Sequence, residues 1–460
     1  YLGMALGFPE KSADVRLAQY ENGSRTPKAD VTAAVLFIFG ILLVLKYSGF
    51  FISAAEFFTG IFGFKPHFKT FKFLLPLGIS YYTLQAAGYI IDVYRGKYRA
   101  TDNFFKLALF LSFFPQIVEG PIGRYDLLAE PLYSGHSFDY DRFTKGLQLM
   151  AWGLFKKMVI ADRANIFVSE VFGDYQKYSG SIILLGGVLY TLQIYAEFSG
   201  CMDIVTGSAE LFGVPLSQNF SRPFFSKSVA EFWRRWHITL GAWLRDYVFY
   251  SVSLSKPFMK LSRFAKEHLN EFLGSLIPAS FAMFFTWFGI GFWHGAGVKY
   301  IIYGLYYYAV MMLGMYLEPL FARAFNAAHI NRNSKPLNAL RILRTLILVV
   351  CGMTLFRAET VGIWLGMIKR VFTGFGGGTF LNDALLCGMD KQDFLIVILG
   401  AAVMLVISIL QEKGINVRDT LAKQVLPVRW TVYICLVLSV IIFGAYGIGY
   451  DAVDFIYGQF

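Results

Sequence analysis

The chain has 460 residues, of which 56% are apolar, 18% aromatic and only 16% charged. Soluble domains carry about a quarter charged residues, so this composition and a mean hydropathy of +0.51 exclude an ordinary soluble enzyme and indicate a polytopic membrane protein. The net charge of +11 lies in short basic clusters between apolar runs, which is typical of cytoplasmic loops. The basic balance therefore requires no nucleic-acid partner.

Taken in chain order, ten apolar segments approach the length that crosses about 30 Å of hydrocarbon as a helix. Strands of alternating polarity, which a barrel needs, are absent. The predicted fold class is therefore all-α: a polytopic transmembrane bundle of about 10–12 helices, including re-entrant or interfacial pieces at 50–64 and 204–216. The predicted spans lie near 31–48, 73–93, 103–119, 146–161, 181–198, 276–293, 298–317, 342–357, 394–411 and 430–448.

The polar linkers between these segments are too short for a second soluble domain, so we predict one membrane domain over 1–460. The glycine-rich stretch 374–383 lacks the Gly-Lys-Ser/Thr ending of a phosphate loop and is interpreted as a flexible connector. Four scattered cysteines indicate neither a zinc site nor a disulfide framework. The chain begins with Tyr1, which leaves open whether its N-terminus is truncated. The linkers lie at 9–30, 124–145, 218–235, 256–271, 322–341 and 412–429.

The stretch "EFWRRWHITLGAWLRDYVFY" at 231–250 combines charge, indole rings and one imidazole. On a helix it is too charged to cross a bilayer yet strongly two-faced, which predicts a helix lying in the membrane interface. The polar face comprises Glu231, Arg234, Arg235, Arg245 and Asp246. The apolar face comprises Trp233, Trp236, His237, Leu240, Trp243, Leu244 and Tyr247.

Two histidines are candidate site residues, each with a structural alternative. His237 lies on the apolar face, where it is either a buried histidine that donates to a carbonyl or a catalytic or donor-binding group. His294 is the one ionisable residue between Leu276 and Val298, and ionisable groups at membrane depth are costly and often functional. The alternative is that "HGAG" forms the turn of a helical hairpin with His294 in water at its tip. The nearby Gly291, Gly295 and Gly297 leave room for a substrate or for close helix packing.

Charge suggests an arrangement for these histidines. The flanks 256–266 and 322–344 are both basic, which predicts that both are cytoplasmic. His294 would then lie toward the outer half of the membrane and His237 on the cytoplasmic side, which would suit passage of a group across the bilayer. Asp92 and Asp203 lie at or near span ends, and Asp203 and Glu197 are either proton-relay groups or ordinary ion-pair partners of arginines.

Three ordered motifs resemble the membrane-bound O-acyltransferase family. They are "FFPQIVEGPIGRYDLL" (113–128), "YAEFSGCMDIVTGSAELFGVPLSQNFSRPFFSKSVAEFWRRWHITLGAWLRDYVF" (195–249) and "GIGFWHGAGVKYIIYGLYY" (289–307). The resemblance covers about 75–320 and is strongest to the bacterial group of alginate O-acetyltransferases and teichoic-acid D-alanyltransferases. The two apolar spans at about 394–448 and the wording of the arginine-tryptophan motif favour the polysaccharide O-acetyltransferase branch.

The resemblance implies helices around a central funnel and tunnel, in which a cytoplasmic thioester donor meets an acceptor hydroxyl from the other side. The family's essential histidine falls on His294, and the histidine of its Arg-Trp-His segment falls on His237. The Gly-Pro-Ile-x-Arg turn includes Arg124. Together with Trp233, Trp236 and Trp293, Arg124 is a candidate for shaping the tunnel or anchoring substrate.

The expected activity is transfer of an acyl group, most simply acetyl, to a hydroxyl of an exported or cell-envelope polysaccharide, or to an extracytoplasmic SGNH-like acetyltransferase partner. The co-substrate would be acetyl-CoA or an acyl-carrier protein, with no tightly bound cofactor and no metal. The expected location is the plasma (inner) membrane of a bacterium, with several passes. D-alanyl transfer to teichoic acid, a lipid-linked sugar flippase and a scaffold for an extracellular transferase stay open as alternatives.

Overall fold

The computed structural model describes residues 28–63, 76–376 and 380–446, apart from the side chain of Phe57. Regular structure in these residues is helical, and the one β-type pairing among them is an isolated bridge between Phe220 and Trp236. The predicted all-α class is confirmed. The described chain forms two compact units: the first extends to Ser137 and includes Gly213–Leu216, and the second contains the rest.

The first unit contains one long helix and several short ones. Its 34-residue first helix includes the predicted span 31–48 and most of the apolar piece 50–64, so a separate re-entrant piece there is wrong. The predicted span 103–119 is also wrong, because the chain leaves the helical conformation at Phe113 and a new short helix, with Pro115 in its first turn, begins at Phe114. The helices are α1 Lys28–Ile61, α2 Ile79–Tyr94, α3 Phe104–Ser112, α4 Phe114–Ile117 and α5 Tyr125–Tyr133.

A glycine fixes the start of α2 against the end of α4. Gly78 has a φ of 74°, a left-handed conformation that glycine adopts without steric cost. A Cβ at this position would lie 1.7 Å from the carbonyl oxygen of Ile117. The backbones of the two helices can approach this closely only because residue 78 has no side chain.

The second unit is built around a 32-residue helix, Gly180–Leu211. This helix includes both the predicted span 181–198 and the apolar piece 204–216 up to Leu211, so the separate second piece is wrong. The predicted linker 256–271 is mostly helical. The helices are α6 Tyr140–Leu154, α7 Asp162–Gly173, α8 Gly180–Leu211, α9 Val229–Arg235, α10 Ile238–Leu244, α11 Tyr250–Ser253, α12 Lys256–His268, α13 Glu271–His294, α14 Val298–Ala327, α15 Lys335–Arg357, α16 Val361–Thr373, α17 Phe380–Leu385, α18 Lys391–Glu412, α19 Val417–Ala422 and α20 Leu426–Phe443.

Helices α6 and α8 approach each other at two pairs of glycines. A Cβ on Gly153 would lie 2.4 Å from the carbonyl oxygen of Gly200, and one on Gly207 would lie 2.5 Å from that of Gly146. Small residues at such crossings let helix backbones touch inside a membrane, where lipid is as apolar as the side chains. This close packing fixes the position of α8.

A π-helical turn, Phe155–Ala161, joins α6 to α7 and directs two buried lysines toward α8. Lys156 Nζ lies 2.6 Å from Asp203, and Lys157 Nζ lies 2.5 Å from Asp162 and 3.3 Å from Glu197. Ion pairing therefore accounts for Asp203 and Glu197. Their partners are lysines, whereas the sequence suggested arginines.

Seven helices in the described part of the chain are long and apolar enough to cross a membrane. The chain is accordingly a multi-pass membrane protein. Both predicted C-terminal spans are confirmed as helices, although residues 447 and 448 lie outside the described part. The seven helices are α1, α8, α13, α14, α15, α18 and α20.

Candidate active site

The sequence predicted a single helix over the arginine-tryptophan stretch 231–250. The structure instead divides this stretch into several elements. Helix α9 ends at Arg235, and His237 takes a left-handed conformation with φ 48° and ψ 51° before α10 begins. A π-helical turn at Arg245–Phe249 and the short α11 complete the stretch. The chain therefore turns sharply at the histidine.

Pairing with a distant segment explains this turn. The N–H of Ser221 donates to the carbonyl of Arg235 at 2.8 Å, and the N–H of Ile238 donates to the carbonyl of Asn219 at 3.0 Å. Between them lies the bridge of Phe220 with Trp236. These backbone groups satisfy one another in an extended arrangement, so the helix cannot continue through them.

The predicted division of the stretch into two faces holds despite the break. Arg234 and Arg245 are exposed, and Glu231, Arg235 and Asp246 are partly exposed. Trp233 is partly buried. The fully buried members of the predicted apolar face are Trp236, His237, Leu240, Trp243, Leu244 and Tyr247.

His237 is 3% exposed. Its Nδ1 lies 3.3 Å from Oδ1 of Asn219. Phe198 of α8 and Trp293 of α13 meet the ring edge-on at centroid distances of 4.8 Å and 5.7 Å. The ring thus lies where three separate parts of the second unit converge.

His294 is the last residue of α13 and is 5% exposed. The hairpin with α14 is present, since α14 begins at Val298. The alternative that His294 sits in water at its tip is wrong, because the ring packs against Trp293, Tyr303 and Phe356 at 5.1, 5.8 and 5.3 Å between centroids.

Close packing within this hairpin holds the end of α13. A Cβ on Gly291 would lie 2.3 Å from the carbonyl oxygen of Tyr300, and one on Gly304 would lie 2.2 Å from that of Trp287. A Cβ on Gly295 would lie 2.4 Å from the Tyr300 ring. Of the two uses that the sequence suggested for Gly291 and Gly295, the geometry supports helix packing.

Trp293 brings the two histidines into one site, because its indole touches both imidazoles. His237 lies between α9 and α10, outside the seven candidate spans. Burial lowers the pKa of His237 well below its usual value, and the nearby His294 lowers it further. Its imidazole is therefore neutral at pH 7.

The other predicted tryptophans form the wall beside this site. Trp236 packs against Phe232 and Phe220 at centroid distances of 5.3 and 5.1 Å. Trp233 meets Trp287 and Tyr307 at 5.2 and 4.8 Å. No acceptor for the buried Nε1–H of Trp233 is present among the described residues.

Arg124 belongs to the first unit, where it precedes α5 and its carbonyl accepts from the N–H groups of Leu127 and Leu128. Its predicted part in the site stays a prediction, as does the central funnel. Within residues 28–63, 76–376 and 380–446, no group of three His, Cys, Asp or Glu residues is placed to hold a metal ion.

Sequence reasoning missed four residues that touch the histidines: Phe198, Asn219, Tyr303 and Phe356. Asn219 lay in a stretch interpreted as a polar linker. Tyr303 and Phe356 lay in apolar spans that contain many aromatic residues. The one available signal was that Asn219 shortly precedes the arginine-tryptophan motif.

The model of the MBOAT, membrane-bound O-acyltransferase family matches residues 99–352, which is more than half of the chain. The chain belongs to the membrane-bound O-acyltransferase family. Both candidate histidines and Arg124 fall inside the matched range, whereas α18 and α20 lie beyond it. The resemblance seen in the motifs is confirmed.

Relatives of three kinds are similar to this chain. The "Probable alginate O-acetylase AlgI" of Pseudomonas aeruginosa is 34% identical over 76% of this chain and 62% of its own length. The "Peptidoglycan O-acetyltransferase" of Helicobacter pylori is 29% identical over 77% and 66%. The "Teichoic acid D-alanyltransferase" of Bacillus subtilis is 28% identical over 55% and 62%. The chain thus spans about three fifths of the length of the Pseudomonas aeruginosa relative.

Proposed function

We propose that this protein is a membrane-embedded O-acyltransferase. It takes an acyl group from a cytoplasmic thioester, acetyl-CoA or an acyl-carrier protein, and delivers it across the membrane to a hydroxyl. The observation that carries the proposal is the pair of buried imidazoles in contact with the same indole, Trp293, inside the range matched by the family. A buried imidazole that is neutral at pH 7 is the usual side chain for taking a proton from an alcohol.

The acyl group is acetyl and the acceptor is a cell-envelope or exported polysaccharide. This assignment is supported by the names of the alginate and peptidoglycan relatives and by their longer matches to this chain. D-alanyl transfer to teichoic acid is the alternative within the family, supported by the Bacillus subtilis relative. The final acceptor is either the polymer itself or an SGNH-like transferase on the outer side of a bacterial plasma membrane.

The chemistry divides between the two histidines. His294 accepts the proton of the acceptor hydroxyl while the hydroxyl oxygen attacks the thioester carbonyl. The C–S bond then breaks, the acyl group becomes an ester, and the thiolate leaves and recovers a proton. A base of this kind contributes roughly 10²–10⁴-fold in rate.

His237 orients the donor or acceptor beside His294. Trp233, Trp236 and Trp293 shape the passage around the two rings, and Arg124 anchors substrate. The apolar, ring-lined surroundings exclude water that would hydrolyse the thioester. No tightly bound cofactor or metal takes part in this scheme.

The test is replacement of His294 by alanine, with His268→Ala as the matched control, since His268 is an exposed histidine of α12. Cells that carry each variant are compared for ester-linked acetyl groups on their envelope glycans by mass spectrometry. We expect His294→Ala to reduce acetylation by at least about 10²-fold with unchanged protein level and assembly. We expect His268→Ala to match the parent.

The other outcomes identify the alternatives. Full acetylation with His294→Ala would mean that the chain is a scaffold for a transferase. Accumulation of an unacylated lipid-linked glycan on the cytoplasmic side would mean that it is a transporter. If His294→Ala removes D-alanyl esters and leaves acetyl esters unchanged, the transferred group is D-alanyl and the proposed mechanism still applies.

A further inference from the structure

Asn219 has no part in the function proposed so far, yet its side chain lies beside His237. It is 3% exposed and lies in the segment that pairs with 235–238. Its side-chain Nδ2 contacts Sδ of Met202 in α8 at 3.1 Å. A buried amide held on both sides by other elements has a defined orientation.

The orientation follows from the groups around its oxygen. The backbone N–H of Thr239 donates to Oδ1 of Asn219 at 3.1 Å, and Oγ1 of Thr239 lies 3.0 Å from the same oxygen. A backbone N–H can only donate. The amide oxygen must therefore face Thr239, and the NH₂ group must face the Met202 sulfur.

This orientation determines where His237 carries its proton. Nδ1 of His237 lies 3.3 Å from Oδ1 of Asn219. Because a carbonyl oxygen only accepts, Nδ1 must be the donor in this contact. A neutral imidazole has a single N–H, so the lone pair of the ring is on Nε2.

We propose that Asn219 is a positioning residue that holds His237 as the Nδ1–H tautomer and so makes Nε2 the nitrogen that accepts a proton or hydrogen bond from substrate. The same residue holds the ring's direction, because its backbone carbonyl accepts from Ile238, next to the left-handed turn. The catalytic value of the arrangement rests on the proposed function, whereas the tautomer does not.

The first test measures the tautomer directly. The full chain, labelled with ¹³C and ¹⁵N in histidine and reconstituted in bilayers, is studied by solid-state NMR at pH 7. Subtraction of the spectrum of His237→Gln identifies the His237 signals among the six histidines. We expect a neutral ring protonated at Nδ1. A ring protonated at Nε2 would overturn the proposal.

The second test changes the charge on the positioning group. Asn219→Asp keeps an acceptor opposite Nδ1 but adds a negative charge, which stabilises the imidazolium. In the pH–rate profile, the fall of the transfer rate on the acid side (the acid limb) should move to higher pH by about one unit or more. His294 is the titratable group that acts on His237, and the rings of Phe198 and Trp293 that pack against it are uncharged.

Thr239→Val is the matched control. It removes a hydroxyl from the same oxygen and leaves the Nδ1 contact in place, so the acid limb should not move. Equal losses in both variants with unchanged pH profiles would reduce Asn219 to a structural role. If His237→Gln transfers normally, the role proposed for His237 fails, while the NMR measurement still decides what Asn219 does.

Discussion

The sharpest structural prediction concerns Gly304, where α14 lies against α13. A Cβ at this position would lie 2.2 Å from the backbone oxygen of Trp287 and 3.1 Å from the backbone nitrogen of Gly291. Backbone atoms cannot rotate away as a flexible side chain can. In Gly304→Ala the two helices must therefore separate by roughly 1 Å in a closely packed interior.

Overpacking of this kind costs about 1–3 kcal/mol, against which alanine gains up to about 1 kcal/mol in helix propensity. Gly314→Ala is the matched control, because Gly314 lies on the same helix and has no atom within 4 Å of its Cβ position. Gly314→Ala should therefore gain only the free energy that the higher helix propensity of alanine provides. We expect Gly304→Ala to be less stable than Gly314→Ala by about 1–3 kcal/mol.

Thermal unfolding of the two purified variants in one detergent measures this difference, and acetyl transfer is measured below the melting range. Gly304→Ala should melt several degrees lower and should transfer more slowly, because α13 carries His294 at its end. Equal melting temperatures for the two variants would refute the packing argument. A lower melting temperature with an unchanged rate would refute the link between hairpin packing and the site.

Three further predictions follow from other contacts. Because burial and His294 lower the pKa of His237, its ring should stay neutral as the pH falls through 6.5, the ordinary value. The NMR signals of His237 should therefore keep the form of a neutral ring at that pH, and a protonation midpoint near 6.5 for this residue would contradict the expectation. Lys157→Met removes the ammonium that pairs with Asp162 and Glu197 and should cost about 3–5 kcal/mol. Lys177→Met, at an exposed pair, should cost at most about 1 kcal/mol. Equal melting temperatures for these two variants would be inconsistent with a stabilising buried ion pair at Lys157. Lys299 donates to the carbonyls of Ala358 and Phe356 at the end of α15. Lys299→Met should therefore displace Phe356 from His294 and slow acyl transfer clearly, with only a small fall in melting temperature. A large fall in melting temperature with an unchanged rate would mean that the contact only stabilises the fold.

Local pattern predicted much of this site. The period of 231–250 separated most of the buried residues from the exposed ones, because residues three and four positions apart lie on the same face of a helix. The lack of charge around His294 offered a buried imidazole as one of two alternatives, and the structure has this one. Both inferences use only information present within a short stretch of sequence.

The errors have a different origin. The turn at His237 comes from pairing with residues 219–221, which are distant in sequence. The piece predicted at 204–216 is the end of α8, in which the charge of Asp203 is accommodated by Lys156 on the preceding π-helical turn. A single sequence shows that Asp203 is charged, but not that a partner reaches it from another element.

The positions of the two histidines relative to the helix ends support the division of roles between them. His294 ends the 24-residue α13, where the partial negative charge of the unpaired carbonyls stabilises a nearby positive charge. An imidazolium formed by proton transfer is favoured there. His237 instead lies between the C-terminus of α9 and the N-terminus of α10, where the end charges of two seven-residue helices oppose each other. The helix ends therefore favour proton uptake at His294 over His237.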